Sequence, residues 1–349
     1  MTNKELILKL ETDGVLSRGE FAGLIGSYSA DDLEFARRRA VEISKRYFGN
    51  KIYIRGLIEF TNICRQNCNY CGLRCGNKSA DRYRLTEDEI LRCCESGYAL
   101  GFRTFVLQGG EDSYFDDDRI CGIVSKIKEN YPDCAITLSI GERERGSYER
   151  FFKAGADRYL LRHETANDEH YRKLHPENMS LAHRKKCLYE LREIGFQTGC
   201  GFMVGSPYQT AETIADDLLF IHDLRPQMVG LGPFVPHKDT PFRDMPQGGL
   251  ELTLFLLALV RIMLKNVLLP STTALGTVDP MGREKGILSG ANVVMPNLSP
   301  VGVRSKYMLY DNKICTGDEA AECRECLSRR MQSIGYEIAV SRGDYEEIK

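Results

Sequence analysis

A TIM-type (β/α)8 barrel carrying an N-terminal helical extension is the fold class that these 349 residues predict, and three observations predict it. From Lys51 onward, eight short apolar runs are separated by longer stretches of helical period, which is how consecutive βα units read. The intervening stretches, such as TEDEILRCCESGYALG and SLAHRKKCLYELREIG, open polar and close on glycine, as capped helices do. The unusual polar residues fall just after the runs, where a barrel gathers its chemistry.

Residues 1–50 read as helical. In SADDLEFARRRAVEISKRYFGN, Ser29 and Asp32 form a capping box and Gly49 is the stop. Leu33, Ala36, Ala40, Ile43 and Tyr47 recur between them at steps of three and four. The runs after this extension are IYIRGLIEF near 52, RTFVLQ near 103, AITLSI near 135, RYLLRH near 158, QTGCGFMV near 197, QMVGLGPF near 227, NVLLPSTTA near 266 and ANVVMP near 291. The first leads into a cysteine cluster and the second into Gln108-Gly109-Gly110-Glu111. The third ends at Gly141-Glu142, the fourth at Arg162-His163-Glu164-Thr165, and the seventh at Thr272-Thr273-Ala274. Residues 1–50 are thus expected to form the extension and residues 51–349 a single barrel.

With 47 basic and 49 acidic side chains the formal charge is -2, and no block of like charges suggests nucleic acid as a partner. The N-terminus lacks the apolar core of a signal peptide. The greasiest stretch, LTLFLLALVRIML from Leu252, is broken by Arg261 and falls short of a membrane span. The chain reads as cytoplasmic, with no membrane association. In a reducing compartment thirteen cysteines, an odd number, point to metal sites or catalytic groups before disulfides.

Four of them crowd into FTNICRQNCNYCGLRCGNK, and the first three are spaced Cys64-x-x-x-Cys68-x-x-Cys71. Thiolates are soft ligands suited to iron–sulfur clusters and zinc. Structural zinc takes four ligands, usually in C-x2-C pairs, and a ferredoxin gives four thiolates to a 4Fe-4S cluster. Three thiolates on one loop would leave one iron open to a small chelating molecule, with a structural zinc site as the rival reading. Cys75 reads as a small loop side chain, and Cys93, Cys94, Cys121, Cys134, Cys187 and Cys200 as core packing.

This spacing after a first barrel strand, with Tyr70 directly before the last cysteine, resembles the signature of the radical S-adenosylmethionine (SAM) superfamily. The resemblance implies that Cys64, Cys68 and Cys71 hold a 4Fe-4S cluster. SAM binds its open iron and is cleaved to methionine and a 5′-deoxyadenosyl radical. Gln108, Gly109, Gly110 and Glu111 match the element that holds the methionine amino group. Glu164 and Arg184 fall where relatives pair a carboxylate with the ribose or amino group and an arginine with the carboxylate, a bidentate task for which guanidinium is suited. Helix-surface charge is the bland alternative for that pair.

The set IEFTNICRQNCNYCGLR, VLQGGED, RYLLRHETAN, GLGPFVPH, TTALGT and GANVVMPN is similar to the radical-SAM maturase family of iron-only (FeFe) hydrogenase, the HydE family, with biotin synthase and methylornithine synthase as relatives. That likeness implies a small sulfur-containing, cysteine-derived substrate. It also implies a flavodoxin- or ferredoxin-type electron donor and work beside other hydrogenase maturases. Arg162, Thr272, Thr273, Tyr307 and Tyr310 fall on positions lining the family's inner anion and substrate pocket. Cys315, Cys323 and Cys326, in residues 311–330, match an accessory iron–sulfur cluster, 2Fe-2S or 4Fe-4S, that many members carry. Cys75 stands where members commonly have a basic residue, and the stretch Pro300 to Lys306 departs from their aromatic-rich version. The alternatives are a mutase or sulfur-insertion enzyme on the same barrel, or a non-catalytic iron–sulfur carrier.

Overall fold

The computed structural model describes residues 1–314 and 324–347, so Cys315 and Cys323 lie outside the described residues. Three helices come first, α1 (Asn3–Asp13), α2 (Arg18–Ser27) and α3 (Ala30–Phe48). Each opens on a capping box: Thr2 with Glu5, Ser17 with Glu20, and Ser29 with Asp32. These reciprocal bonds satisfy amide groups that a helix start otherwise leaves open. Leu33, Ala36, Ala40 and Ile43 of α3 are buried as the periodicity predicts, whereas Tyr47, near the C-terminal end, is exposed.

The first apolar run forms β1 (Lys51–Ile54) and β2 (Gly56–Thr61), divided at Arg55. The chain then alternates: α4 (Glu87–Ala99), β3 (Thr104–Gly109), α5 (Asp117–Asn130), β4 (Ala135–Ser139), α6 (Arg145–Ala154), β5 (Arg158–Leu160), α7 (Asp168–Leu174), α8 (Leu181–Ile194) and β6 (Gln197–Cys200). Next come β7 (Met203–Val204), α9 (Ala211–Leu224), β8 (Met228–Val229), β9 (Gly232–Pro233), α10 (Leu250–Met263), α11 (Thr273–Val278), α12 (Gly282–Ile287), β10 (Val293–Val294), α13 (Val301–Arg304), α14 (Arg324–Ser333) and β11 (Glu337–Ala339).

β2, β3, β4, β5, β6 and β8 pair in that order, every pair parallel. Parallel bridges from Met228 to Leu268 and from Pro270 to Val293 carry the sheet through the seventh and eighth runs. Backbone bonds from Tyr53 to Asn292 (2.9 Å), Arg55 to Val294 (3.0 Å) and Leu57 to Pro296 (2.9 Å) close the ring. All eight runs read from the sequence therefore enter one closed TIM-type barrel. The fifth and sixth are interrupted, and their distal parts, β7 and β9, form a separate two-stranded ladder. Gly201 explains the break: its φ is +146° and a Cβ there would lie 2.0 Å from the Gly230 carbonyl oxygen, so the two strands can pass this closely only with glycine at 201.

The greasy stretch from Leu252 is α10, and it is buried all round because α3 and α1 cover its outer side. Its one cation, Arg261, is fully buried and fully engaged, donating to Gly290 O, Lys265 O and Asn292 Oδ1 and lying over the Phe48 ring. At the N-terminal ends of the strands the C-terminal tail crosses the barrel floor. Arg158, with no exposure, donates to Arg342 O and Asp344 Oδ1, and Thr104 Oγ1 donates to Arg342 O. Among the described residues no helix is long and apolar enough to cross a membrane.

Candidate active site

β2 releases the chain at Thr61 into a long loop that returns through a bridge between Thr61 and Arg84. Such a loop has no ladder to satisfy its carbonyls, and one side chain supplies many of the missing donors. The Arg82 guanidinium donates to Asn62 O (2.6 Å), Leu73 O (3.0 Å), Arg74 O (2.8 Å) and Asn77 O (3.1 Å). Asn62 adds bonds to Asp81 O, Lys306 O and Tyr83 N, each 2.8 Å. The loop also packs without clearance: a Cβ on Gly110 would meet Ile63 O at 2.3 Å, and one on Gly72 would meet Met308 O at 2.2 Å.

Cys64, Cys68 and Cys71 lie partly buried on this loop, and Cys75 is exposed. Burial pushes all three thiols above their ordinary value, Cys71 to about 12, and the neighbouring sulfurs add to the effect at Cys68 and Cys71. Three soft donors thus lie near one another on one partly buried loop, which is the donor chemistry of an iron–sulfur centre. Among the described residues no three His, Cys, Asp or Glu side chains converge on a single ion. A cluster places each thiolate on a separate iron and does not require that convergence.

Carboxylates and arginines flank the thiols. Glu111 is buried, and its carboxylate accepts from Arg65 Nε (3.0 Å), Gln66 Nε2 (2.8 Å) and Glu142 N (3.1 Å), tying the cysteine loop to the end of β4. Arg184, on α8, is buried; its Nε pairs with Glu142 and its Nη1 donates to Arg162 O (2.9 Å). Arg162 Nη2 in turn donates to Glu164 Oε2 (2.9 Å). Glu164 is buried with φ +64°, and its amide donates to Gly201 O (3.0 Å). A non-glycine residue in that region costs ~1–3 kcal/mol and persists only where the surrounding structure enforces it. The reading of Glu164 and Arg184 as surface charges is therefore overturned by their burial.

Tyr70 stands against this group. Its hydroxyl lies 3.2 Å from His175 Nε2, and Cys68, Glu164 and Arg184 are near enough to influence it. His175 is supplied by α7, a short helix absent from the eight-run reading although Asn167 caps it. The same segment bonds the loop backbone through Asn69 N to Leu174 O (2.9 Å) and brings Met179 Sδ to 3.9 Å from Cys68 Sγ.

The residues expected to line the inner pocket lie at the end of the seventh run and in the chain beyond the eighth. Tyr307 is buried, and its backbone carbonyl accepts from Lys313 Nζ (2.9 Å). Tyr310 is half-buried on the segment whose Leu309 O accepts from Gly72 N (2.8 Å). Thr272 caps the start of α11, beside Gly232, with its Oγ1 buried and unpartnered; Thr273 is the first residue of that helix. Arg162 Nε is likewise buried and unpartnered, so two predicted anion-pocket residues hold unused donors. Sequence reasoning missed Glu59 and Lys313, a buried ion pair completed by Asn297 Nδ2 and Tyr307 O. An acid within the apolar run IYIRGLIEF was the available signal for Glu59. Arg82 and His175 were missed as well, and Glu142 was read only as the polar end of the third run. Of the accessory cysteines only Cys326 is described; it lies exposed on α14, a turn before Arg330, which pairs with buried Glu284.

Comparison with known proteins places this geometry. Residues 58–221 match the family model "Radical SAM superfamily". The chain is 45% identical over 340 residues to "[FeFe] hydrogenase maturase subunit HydE" of Thermotoga maritima, covering 96% of this chain and 95% of that one. It is 26% identical over 335 residues to 3-methylornithine synthase of Methanosarcina acetivorans, covering 95% and 93%. The crystal structure of methylornithine synthase (PylB) superposes with a TM-score of 0.83 at 26% identity, over 96% of this chain and 97% of that one. The chain is a radical SAM enzyme, using a 4Fe-4S cluster and SAM, and belongs to the [FeFe] hydrogenase maturase HydE family.

Proposed function

We infer that the enzyme acts in maturation of the FeFe-hydrogenase active-site cluster, on a small sulfur-containing, cysteine-derived molecule. The reading is supported most by 45% identity spanning 96% of the chain, and a loop of partly buried thiols with buried carboxylates and arginines beside it lends further support. When bound, the cluster and SAM supply a one-electron cleavage that yields the 5′-deoxyadenosyl radical.

Cys64, Cys68 and Cys71 hold the cluster, and the backbone of Gly109-Gly110-Glu111 receives the SAM amino group while the Glu111 side chain braces the loop. Glu164, fixed by Arg162 and by its strained backbone, accepts from the ribose or amino group. Arg184 arrives already paired with Glu142, so it contributes a fixed donor geometry toward the carboxylate rather than an unmatched charge. The unused donors of Arg162 and Thr272, with Thr273, Tyr307 and Tyr310, receive the anionic end of the substrate. Cys315, Cys323 and Cys326 bind an accessory iron–sulfur cluster, and a flavodoxin- or ferredoxin-type protein delivers the electron.

The test is co-production of an FeFe-hydrogenase with the remaining maturases. Active hydrogenase is expected only when this chain is present, and Cys68→Ala should abolish it. Hydrogenase that matures equally well without the chain would contradict the assignment.

A further inference from the structure

Tyr70 sits directly before Cys71, and an aromatic ring next to a cluster is useful only if its plane is fixed. Its hydroxyl has a partner whose role the geometry decides. His175 Nδ1 lies 3.0 Å from the Tyr171 carbonyl oxygen, which can only accept, so Nδ1 carries the ring proton. Nε2 is then the bare lone pair of a neutral imidazole, and the Tyr70 hydroxyl, 3.2 Å away, must donate to it. The imidazole has no freedom to reverse these roles. It is 3% exposed and stacks on Tyr171 with centroids 3.9 Å apart and an interplanar angle of 19°, while Tyr70 meets it edge-on at 5.5 Å and 85°.

We propose that His175 is a positioning residue for cofactor binding: held in one tautomer by the Tyr171 carbonyl, it accepts a hydrogen bond from the Tyr70 hydroxyl and sets the Tyr70 ring for the SAM that binds beside Cys71. Nothing in the sequence pattern singles it out, because it acts through Tyr70. The contact also joins two segments already bonded, since Asn69 N and Nδ2 donate to Leu174 O and Lys173 O at the end of α7. A ring hung from the cysteine loop and a histidine hung from α7 thus share one anchorage, and the hydroxyl bond fixes the ring's remaining rotation. This inference rests on the cofactor reading above.

The experiment is a double-mutant cycle on the anaerobically reconstituted holoenzyme. SAM affinity is read by titrating the EPR signal of the reduced cluster, with iron content measured in parallel. His175→Phe keeps the stacked ring and removes the acceptor; Tyr70→Phe keeps the aromatic face and removes the donor. Each should weaken SAM affinity by about threefold to tenfold, the value of one neutral hydrogen bond. The double variant should be no weaker than either single one. Iron content and the SAM-free signal should stay at the wild-type level, and His175→Gln, which returns an acceptor oxygen, should recover part of the loss. Wild-type affinity in His175→Phe, or losses that multiply in the double variant, would overturn the proposal while leaving the cofactor reading intact. Should His175→Phe fail to fold, Tyr70→Phe and His175→Gln carry the same comparison. A fully loaded wild-type protein whose signal ignores SAM would overturn both.

Discussion

Arg82 shows at the residue scale how much of the site depends on one side chain's shape. Its planar fork spans four carbonyls of the cysteine loop, and an ammonium, a single point with three donors, cannot reach all four. Arg82→Lys should therefore lower the stability of the cluster-free protein by ~2 kcal/mol in urea titration and reduce iron bound on reconstitution, although charge is kept. Gly110 makes a second test. A methyl group there would sit 2.7 Å from Cys64 Cβ as well as on Ile63 O, so Gly110→Ala should destabilise by ~1–3 kcal/mol and impair cluster loading. Glu164→Gln removes a charge from Arg162 while keeping the shape of the turn, and it should weaken SAM binding with the cluster still assembled. Wild-type SAM affinity in both Glu164→Gln and Arg184→Ala would remove the two residues from the site. The spacing of the three cysteines was legible in the sequence because residues of one loop keep their intervals in one dimension. Arg82 was not, since its partners reach it only through the folded chain, and Glu142 was legible only as the polar end of the third run.

At the scale of elements, α7 and the turns around it carry three histidines that the fold keeps neutral. Burial lowers His163 well below its ordinary value and also lowers His170, and it takes His175 down to about 3, with the Arg184 charge contributing there. His170 binds Thr165 and the Pro207 carbonyl, so it clamps the turn next to Glu164. These groups bind fewer protons folded than unfolded, so their stabilisation is complete above about pH 6.5 and is lost as pH falls from there toward 3. Urea midpoints should decline over that interval, and the decline should be shallower in His175→Phe; a profile identical to the wild type would contradict the assignment. The helix itself escaped the periodicity reading because seven residues give too few turns to establish a period. The strand breaks at Arg55 and Gly201 escaped for a related reason: an apolar run records burial, not where the chain bends.

Across the whole molecule, the barrel was legible as eight runs because parallel strands buried on both faces are apolar along their length. Its fastening was not. The C-terminal tail reaches the floor from the far end of the sequence, where Asp344 pairs with fully buried Arg158 and with Arg342. Removing that carboxylate leaves a buried guanidinium short of its counter-charge. Asp344→Ala should cost ~2–3 kcal/mol, less than a wholly enclosed pair because Asp344 is a third exposed. The accessory cysteines make a prediction on the same scale: substituting Cys315, Cys323 and Cys326 together should leave SAM cleavage nearly intact, and its loss would show that the catalytic cluster depends on the other end of the chain.

One measurement bears most directly on the claim that Cys64, Cys68 and Cys71 hold a cluster with an iron open to SAM. The protein is reconstituted anaerobically with iron and sulfide, reduced with dithionite and given SAM, with 5′-deoxyadenosine assayed and the EPR spectrum recorded with and without SAM. Production of 5′-deoxyadenosine, a reduced-cluster signal that shifts on adding SAM, and loss of both in Cys68→Ala are the expected results. A cluster that forms yet neither cleaves SAM nor changes its spectrum, or cleavage that persists in Cys68→Ala, would contradict the assignment.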